Sequence, residues 1–283
     1  MYKICITVRN RLAITTKCIT SIRRFSKLPH QIYIYDNLTN HKIHEHFMYF
    51  ALLYEKGIIT QFTVNTKEST FGAFSKAIST NCFGLNHEQD PEKDKVDFLV
   101  FLDNDCIIVQ DGWDQIIKNA WADVNKHNLK DIKIIGQLPG GIMNKKEIPQ
   151  QIAGCKAKIG KSGGSGFWTV KNNFFKEIGY LDVKGLVGHD KKHDQNYWSK
   201  IAKITNNKDY ILGIDKKIVV HTGGLAGSIC NTLTRNKKHN QKKPIVNVQE
   251  AIKFDHAEKE IDNMTFDQFL EKIKNNQSMI GDW

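Results

Sequence analysis

The sequence lacks the features of a membrane or secreted protein. No apolar run approaches the roughly 20 residues that a membrane-spanning helix needs. The apolar run Ile4–Ile6 that follows the first three residues is too short for the core of a signal peptide. The six cysteines are scattered and include no C-x-x-C pair, so neither a zinc site nor a disulfide framework is indicated. We therefore expect a cytoplasmic protein with reduced, mostly buried thiols.

Acidic residues are scarce in the second half of the chain, although the formal net charge of the whole is +11. Ten lysines lie in the range Lys126–Lys176 against only Asp131 and Glu147, and no acid occurs in the range Lys216–Gln249. A solvated face is the usual explanation of a charge run. Asymmetry of this kind also favours a polyanionic partner.

Two glycine-rich signatures and the known nucleic-acid motifs are absent as well. Gly163–Gly166 is not the G-x-G-x-x-G that follows a strand in dinucleotide-binding proteins. Thr7–Thr16 contains no glycine, whereas nucleotidyltransferases usually carry a Gly-rich, basic loop directly after the first strand. No recognisable DNA- or RNA-binding motif occurs.

Short β-rich runs alternate with helical patterns along the chain. Strands are predicted at Ile4–Val8, Gln31–Tyr35, Thr60–Val64, Phe98–Leu102, Lys133–Gly136, Phe167–Val170 and Ile218–Val220. Helices are predicted near 12–25, 69–78, 111–124, 172–178 and 197–201, and two more near the C-terminus, the last starting with a capping box at Thr265–Gln268. This alternation predicts an α/β fold with a mostly parallel sheet and right-handed crossovers.

An acid cluster ends the most apolar of these strands. Phe98–Leu102 has the composition of a strand buried on both faces, and Asp103 and Asp105 follow it on either side of Asn104. Ligands bind at the carboxyl ends of strands in such sheets, where we expect Asp105 to face solvent. Two carboxylates so close repel one another unless a cation lies between them. A turn or helix cap is the alternative, but the position after a buried strand favours a divalent metal that holds a phosphate.

Taken in order, these landmarks resemble the family 2-type glycosyltransferases with the GT-A fold. The resemblance covers about 4–224 and depends on the D-x-D of Asp103 and Asp105, and on Gly166–Val170 followed by Phe174–Asp182, which is similar to the acceptor-side strand and helix. It implies a Rossmann-like, mixed, mostly parallel sheet flanked by helices. We expect a GT-A domain at 1–224, with a nucleotide-sugar half at 1–110 and an acceptor half at 130–224. A basic loop and C-terminal helices would follow at 225–283.

The resemblance also implies the site residues. The donor would contact Thr7, Arg9, Asn10, Asp36, Gly72, Lys76 and Asp103. A Mn²⁺ or Mg²⁺ ion would be held by Asp103, Asp105 and His221, although an ordinary strand-end histidine is an equally good interpretation of His221. The family's acidic pair is His193-Asp194 here, so Asp194 is the predicted general base and Asp190, one turn upstream, is the runner-up.

The function that these residues imply is a metal-dependent, inverting glycosyltransferase. It would move a sugar from a nucleotide diphosphate, with UDP favoured, to an acceptor hydroxyl. The basic half would attract a polyanionic acceptor such as DNA with hydroxymethylated bases or a phosphate-rich cell-wall polymer. Lysines that only solubilise the protein, or that reflect an A+T-rich genome, are an equally good explanation. A nucleotidyltransferase and a non-catalytic nucleic-acid-binding protein are the alternative functions.

Overall fold

The computed structural model describes residues 1–8, 10–37, 43–65, 96–137, 146–161, 166–178, 199–222, 256 and 258–275. Their strands are β1 (Tyr2–Val8), β2 (His30–Asn37), β3 (Gln61–Asn65), β4 (Phe98–Asp103), β5 (Cys106–Ile108), β6 (Ile134–Gln137), β7 (Lys146–Glu147), β8 (Ala157–Gly160), β9 (Phe167–Lys171), β10 (Ile211–Ile214) and β11 (Val219–His221). Their named helices are α1 (Leu12–Phe25), α2 (Ile43–Glu55), α3 (Trp113–Lys126), α4 (Phe174–Ile178) and α5 (Phe266–Asn275). Residues 199–204 and 258–263 are also helical.

Nine of the described strands form one mixed sheet in the order β3-β2-β1-β4-β9-β6-β10-β8-β7. Strands β3, β2, β1 and β4 run parallel to one another, and β6 and β10 are also a parallel pair. Strand β9 runs antiparallel between β4 and β6, and β8 runs antiparallel between β10 and β7. The sheet confirms the predicted mixed, mostly parallel α/β architecture. A separate antiparallel pair joins β5 to β11.

Strand β4 is one of the central strands of the sheet, between β1 and β9, and is buried on both faces, as its composition predicts. Phe98, Val100 and Leu102 belong to the core layer that contains α1, α3 and α5. Leu99 and Phe101 alternate with them and belong to the layer on the opposite face. Because successive side chains of a strand point to opposite faces, one continuous apolar run supplies both layers.

Helix α3 follows the acid cluster and covers one face of the sheet. Trp113, Ile117 and Ala120 are fully buried, which agrees with the predicted helical period. The helix begins two residues later than the predicted start at Asp111. Gly112 has a positive φ of 64° and forms the N-cap, and Asp111 instead makes an ion pair with Lys27 at 2.8 Å.

The C-terminal helix α5 is part of the main core. Its capping box forms as predicted: the Thr265 N–H donates to the Gln268 side chain at 2.8 Å, and the Gln268 N–H donates to the Thr265 hydroxyl at 3.2 Å. Phe269 and Ile273 are fully buried in the layer that contains α1. None of the helices in the described ranges is long and apolar enough to cross a membrane.

Candidate active site

The carboxyl ends of β1 and β4 meet at one edge of the sheet. Thr7 pairs in register with Asp103, and the backbone N–H of Asn104 donates to the Thr7 carbonyl at 3.2 Å. This last contact lies beyond the end of β4 and fixes the turn that carries Asp105. Three of the predicted site residues, Thr7, Asp103 and Asp105, therefore lie at the same edge, where ligands bind in open α/β sheets.

The middle residue of the D-x-D connects the acids to the segment that follows β1. The Asn104 side chain is buried, and its amide donates to the Asn10 carbonyl at 3.3 Å and to the Thr15 hydroxyl at 2.9 Å. Thr15 lies in the first turn of α1. The acids and the predicted donor residue Asn10 are thus held together by buried hydrogen bonds.

Asp105 is buried and lies between two basic side chains, so the expectation that it faces solvent is wrong. Nη1 of Arg11 lies 2.6 Å from its Oδ2, and Nε2 of His221 lies 3.2 Å from its Oδ1. Burial by itself raises the pKa of the Asp105 carboxyl. The charge of Arg11 and the hydrogen bond with His221 outweigh burial and hold this pKa well below its usual range.

His221 reaches Asp105 through the small β5–β11 sheet. His221 pairs in register with Cys106, the first residue of β5. The next residue, Thr222, donates from both its N–H and its hydroxyl to the Asp105 carbonyl, at 2.8 and 2.9 Å. The backbone on both sides is therefore fixed, and the predicted pair of Asp105 and His221 is brought into contact from distant parts of the chain.

Gly166, just before β9, closes the other side of the site. Its carbonyl accepts a hydrogen bond from the Asp103 N–H at 2.9 Å. A Cβ atom at this position would lie 3.1 Å from Sγ of Cys106, 3.4 Å from Cδ2 of His221 and 3.7 Å from Oδ2 of Asp103. The missing side chain thus leaves a small space bordered by three polar side chains.

Arg11 is the site residue that the sequence reasoning missed. It is the N-cap of α1, and both it and Asn10 have left-handed backbone conformations, with φ of 61° and 53°. Two successive non-glycine residues of this kind are strained and occur mostly where a site requires them. A signal was available: the predicted site already included Arg9 and Asn10, and the next residue in the same loop is also basic.

Three side chains at this edge have the chemistry to hold a divalent cation. Single ligand atoms of Asp105, Cys106 and His221 all lie within 4.8 Å of one another. A carboxylate and an imidazole suit a divalent first-row ion, and Cys106 adds a softer thiol that the sequence reasoning did not include. Asp103 borders the same small space next to Gly166. These residues fit a divalent metal.

Asp36 lies apart from this cluster, on the far side of β1. It pairs in register with Val8 of β1 and Val64 of β3, and its side chain is almost fully buried. Nδ1 of His46, in α2, lies 3.8 Å from its Oδ2. The predicted residues Arg9, Gly72, Lys76, Asp190 and Asp194 lie outside the described residues.

A mostly parallel sheet with an acid cluster at the carboxyl end of a central strand, next to one reversed strand, is the arrangement expected of a GT-A protein. No protein-family model matches the sequence, and no curated protein matches it significantly. Solved structures do match. GalNAc-T7 with UDP, GalNAc and Mn²⁺ is similar with a TM-score of 0.51 and 12% identity, over 97% of this chain and 56% of that one. The likeness shows the fold: the chain has the GT-A fold.

Three further similar structures have TM-scores below 0.5. A mannosyltransferase from Pyrobaculum calidifontis with GDP-Man and Mn²⁺ has a TM-score of 0.49 and 12% identity, over 97% of this chain and 73% of that one. S. aureus TarS has 0.48 and 11%, over 89% of this chain and 41% of that one. A putative glucose-1-phosphate thymidylyltransferase from Bacillus anthracis has 0.42 and 11%, over 94% of this chain and 97% of that one. The chain spans about half the length, or less, of TarS and GalNAc-T7.

Proposed function

We propose that this chain is a metal-dependent, inverting glycosyltransferase that moves a sugar from a nucleotide diphosphate, with UDP favoured, to an acceptor hydroxyl. The observation that carries the proposal is the contact between Asp105 and His221 beside Asp103, at the carboxyl end of a central strand of a GT-A fold. GalNAc-T7 was solved with UDP, GalNAc and Mn²⁺, which makes Mn²⁺ the first ion to test here, ahead of Mg²⁺.

In this proposal the edge of β1 and β4 binds the donor. Asp105 and His221 would hold the divalent ion, with Asp103 as a further ligand or as the partner of the ribose. When bound, the ion would neutralise the negative charge that develops on the nucleotide diphosphate leaving group. Arg11 adds a fixed positive charge at the same edge, which also suits a diphosphate. Thr7 and Asn10 lie close enough to this cluster to position the nucleotide.

For the remaining predicted donor-binding residues we propose the roles that the resemblance implies. Asp36 would contact the nucleotide base from the carboxyl end of β2, which pairs with β1 next to the acid cluster. Arg9, Gly72 and Lys76 would support the nucleotide and the diphosphate. The acceptor would bind on the side of β9, in the basic half of the chain.

The acceptor hydroxyl needs a general base, for which we propose Asp194. The change Asp194→Asn keeps the size of the side chain but removes its basicity, so turnover is expected to fall about 10²–10⁴-fold while donor binding is retained. Steady-state transfer and donor titration measure the two effects. The matched control is Asp190→Asn. Asp190 becomes the base instead if its variant loses turnover and the Asp194 variant does not.

Donor hydrolysis tests the proposed function. The purified protein is incubated with a panel of UDP-, GDP- and dTDP-sugars after removal of metals, and nucleotide release is measured before and after addition of Mn²⁺ or Mg²⁺. We expect release of one nucleoside diphosphate that depends on the added metal. A parallel reaction contains nucleoside triphosphates with sugar 1-phosphates. Pyrophosphate release there, without nucleotide release from any nucleotide sugar, would make the chain a nucleotidyltransferase instead.

A further inference from the structure

Helix α1 begins without a side-chain cap of its own. Its N-cap residue is Arg11, whose side chain makes no capping hydrogen bond and is turned toward Asp105. The first N–H groups of a helix have no partner within the helix and need an acceptor from elsewhere. One of them, the N–H of Ala13, donates to Oε2 of Glu258 at 2.9 Å, across 245 residues of sequence.

Glu258 is well suited to this role. Its side chain is buried, with 8% of the residue exposed, and it lies in the helical stretch 258–263 near the C-terminus. A negative charge at a helix N-terminus interacts favourably with the helix dipole as well as with the N–H group. Glu258 therefore supplies from the C-terminal segment the cap that the side chain of the N-cap residue Arg11 does not supply.

The cap acts on the turn that holds Arg11. The Arg11 carbonyl accepts hydrogen bonds from the Thr15 N–H at 3.0 Å and from the Thr15 hydroxyl at 2.8 Å, so Arg11 is rigidly joined to the first turn of α1. Its left-handed backbone, like that of Asn10, is strained and persists only where the surrounding structure holds it. Asn104 holds this turn from the side of β4, and Glu258 holds it from the C-terminal side.

The C-terminal segment contacts α1 along its whole length. Nζ of Lys17 donates to the Met264 carbonyl at 2.5 Å, and the Phe25 and Phe266 rings pack with their centroids 6.2 Å apart. Of these contacts between the C-terminal segment and α1, the one made by Glu258 is at the N-terminal end of α1, beside the acid cluster.

We propose that Glu258 is a positioning residue of the candidate active site, which holds the first turn of α1 so that Arg11 reaches Asp105. Its effect on turnover rests on the proposed function, but its effect on the contact between Arg11 and Asp105 does not. The C-terminal helices, which the sequence resemblance left without a role, are then part of the structure that shapes the donor site.

The first test measures the coupling between Arg11 and Asp105 and needs no substrate. Urea unfolding is measured for the original chain, for Arg11→Gln, for Asp105→Asn and for the double variant. The coupling is the factor by which the effect of Arg11→Gln on the unfolding equilibrium constant changes when Asp105 is also replaced. The same cycle is repeated in the Glu258→Ala and Glu258→Gln backgrounds. We expect the coupling to fall at least about threefold with Glu258→Ala and to stay near its original value with Glu258→Gln, because the Gln side chain still offers an oxygen to the Ala13 N–H.

The second test measures turnover on protein that is folded at the assay temperature. With Glu258→Ala, kcat/KM for the donor is expected to fall about 10- to 100-fold, since a small displacement of a positioning group is that costly. Glu258→Gln should recover most of the loss. Glu260→Gln is the matched control, because Glu260 lies two residues away and forms an exposed ion pair with Lys272. It should not change kcat/KM.

The two tests separate the two proposals. An unchanged coupling in the Glu258→Ala background overturns the positioning role, whatever the wild-type protein does with nucleotide sugars. The positioning role is also overturned if Glu258→Gln lowers the coupling or kcat/KM as much as Glu258→Ala does. The hydrogen bond to the Ala13 N–H would then not be the cause of the effect. If the coupling falls as expected but the wild-type protein acts on no nucleotide sugar, Glu258 keeps its role and the proposed function fails.

Discussion

The ion pair of Arg11 and Asp105 is nearly buried, with 15% and 7% of the two side chains exposed. Removing one partner of such a pair leaves the other charge buried alone, which costs far more free energy than removing both. Arg11 also occupies one carboxylate oxygen of the acid that is proposed to hold the metal. The pair therefore affects both the stability of the protein and the availability of Asp105.

We predict that Asp105→Asn lowers the free energy of unfolding by roughly 3 kcal/mol at neutral pH, and that Arg11→Gln in the same chain restores part of it. The pKa of Asp105 lies lower in the folded protein than in the unfolded chain. Its contribution is therefore present above a pH of about 4 and is lost as the pH falls further. Urea unfolding at several pH values measures both effects.

The same variants separate stability from function. Metal-dependent nucleotide release should be lost with Asp105→Asn and should stay lost in the double variant, although its stability recovers. Full release in either variant, or release that persists in EDTA, would remove Asp105 from the metal site.

Gly166 gives a second prediction for a single residue. In Gly166→Ala the new Cβ would meet Cys106 Sγ at 3.1 Å, so the neighbouring side chains of the candidate site must shift by a few tenths of an ångström. We expect little change in stability and a loss in turnover of roughly 10- to 100-fold. Combining it with Cys106→Ala removes the tightest contact and should return part of the turnover. A Gly166→Ala variant with normal turnover would show that the space beside this residue is not used.

What the sequence could reveal of the site differs from residue to residue. Asp103 and Asp105 could be predicted because they end a strand whose burial on both faces is evident from its composition. Their contact with His221 was implied only by the resemblance, since no local pattern links β11 to β4. Arg11 could not be assigned to Asp105, because its side chain reaches the acid only through a left-handed backbone that is unusual for arginine.

The elements that the sequence predicts well are those with strong periodicity or a long apolar run. Strand β10 was missed because its four residues Ile211–Ile214 include a glycine and are too few for a reliable pattern. Helix α2 was missed for another reason. Its apolar residues lie on several sides, and Phe47, Met48 and Leu52 are exposed, so no single face stands out from the sequence.

Helix α5 gives a prediction for a whole element. Phe269 is fully buried against the main core. The change Phe269→Ala should lower the free energy of unfolding by about 3–5 kcal/mol, measured by urea denaturation. Glu271→Ala, an exposed position of the same helix, is the control and should stay within about 0.5 kcal/mol of the original chain. Equal stability of the two variants would mean that α5 does not contribute to the main core in solution.

At the scale of the whole molecule, the lysine-rich stretch is partly neutralised by acids. Ion pairs join Lys133 to Glu177, Lys146 to Asp209, Lys158 to Glu147 and Lys208 to Asp131. Lys208 lies outside the lysine-rich range Lys126–Lys176, but it pairs with Asp131, one of the two acids within that range. The local excess of positive charge is therefore smaller than the sequence suggests. Binding of a polyanionic acceptor would depend on the net charge of +11 of the whole chain.

Titration of labelled duplex DNA tests whether that charge binds a polyanion. We expect measurable binding at low salt, with an affinity that falls roughly three- to fourfold for each neutralised phosphate when salt rises from 50 to 200 mM. Absence of binding at low salt would remove nucleic acid from the acceptors. A phosphate-rich cell-wall polymer would be tested in the same way, with its neutral, dephosphorylated form as the control.

The long sequence separation of the contacts around Asp105 has a consequence for biosynthesis. During translation Asp103 and Asp105 leave the ribosome well before His221, and before Glu258 can cap α1. Pairings between such distant segments form slowly and only once both are available. A nascent chain therefore carries the two acids without the histidine and without a fixed arginine. The proposed site would therefore form only after the segment that carries Glu258 has been synthesised.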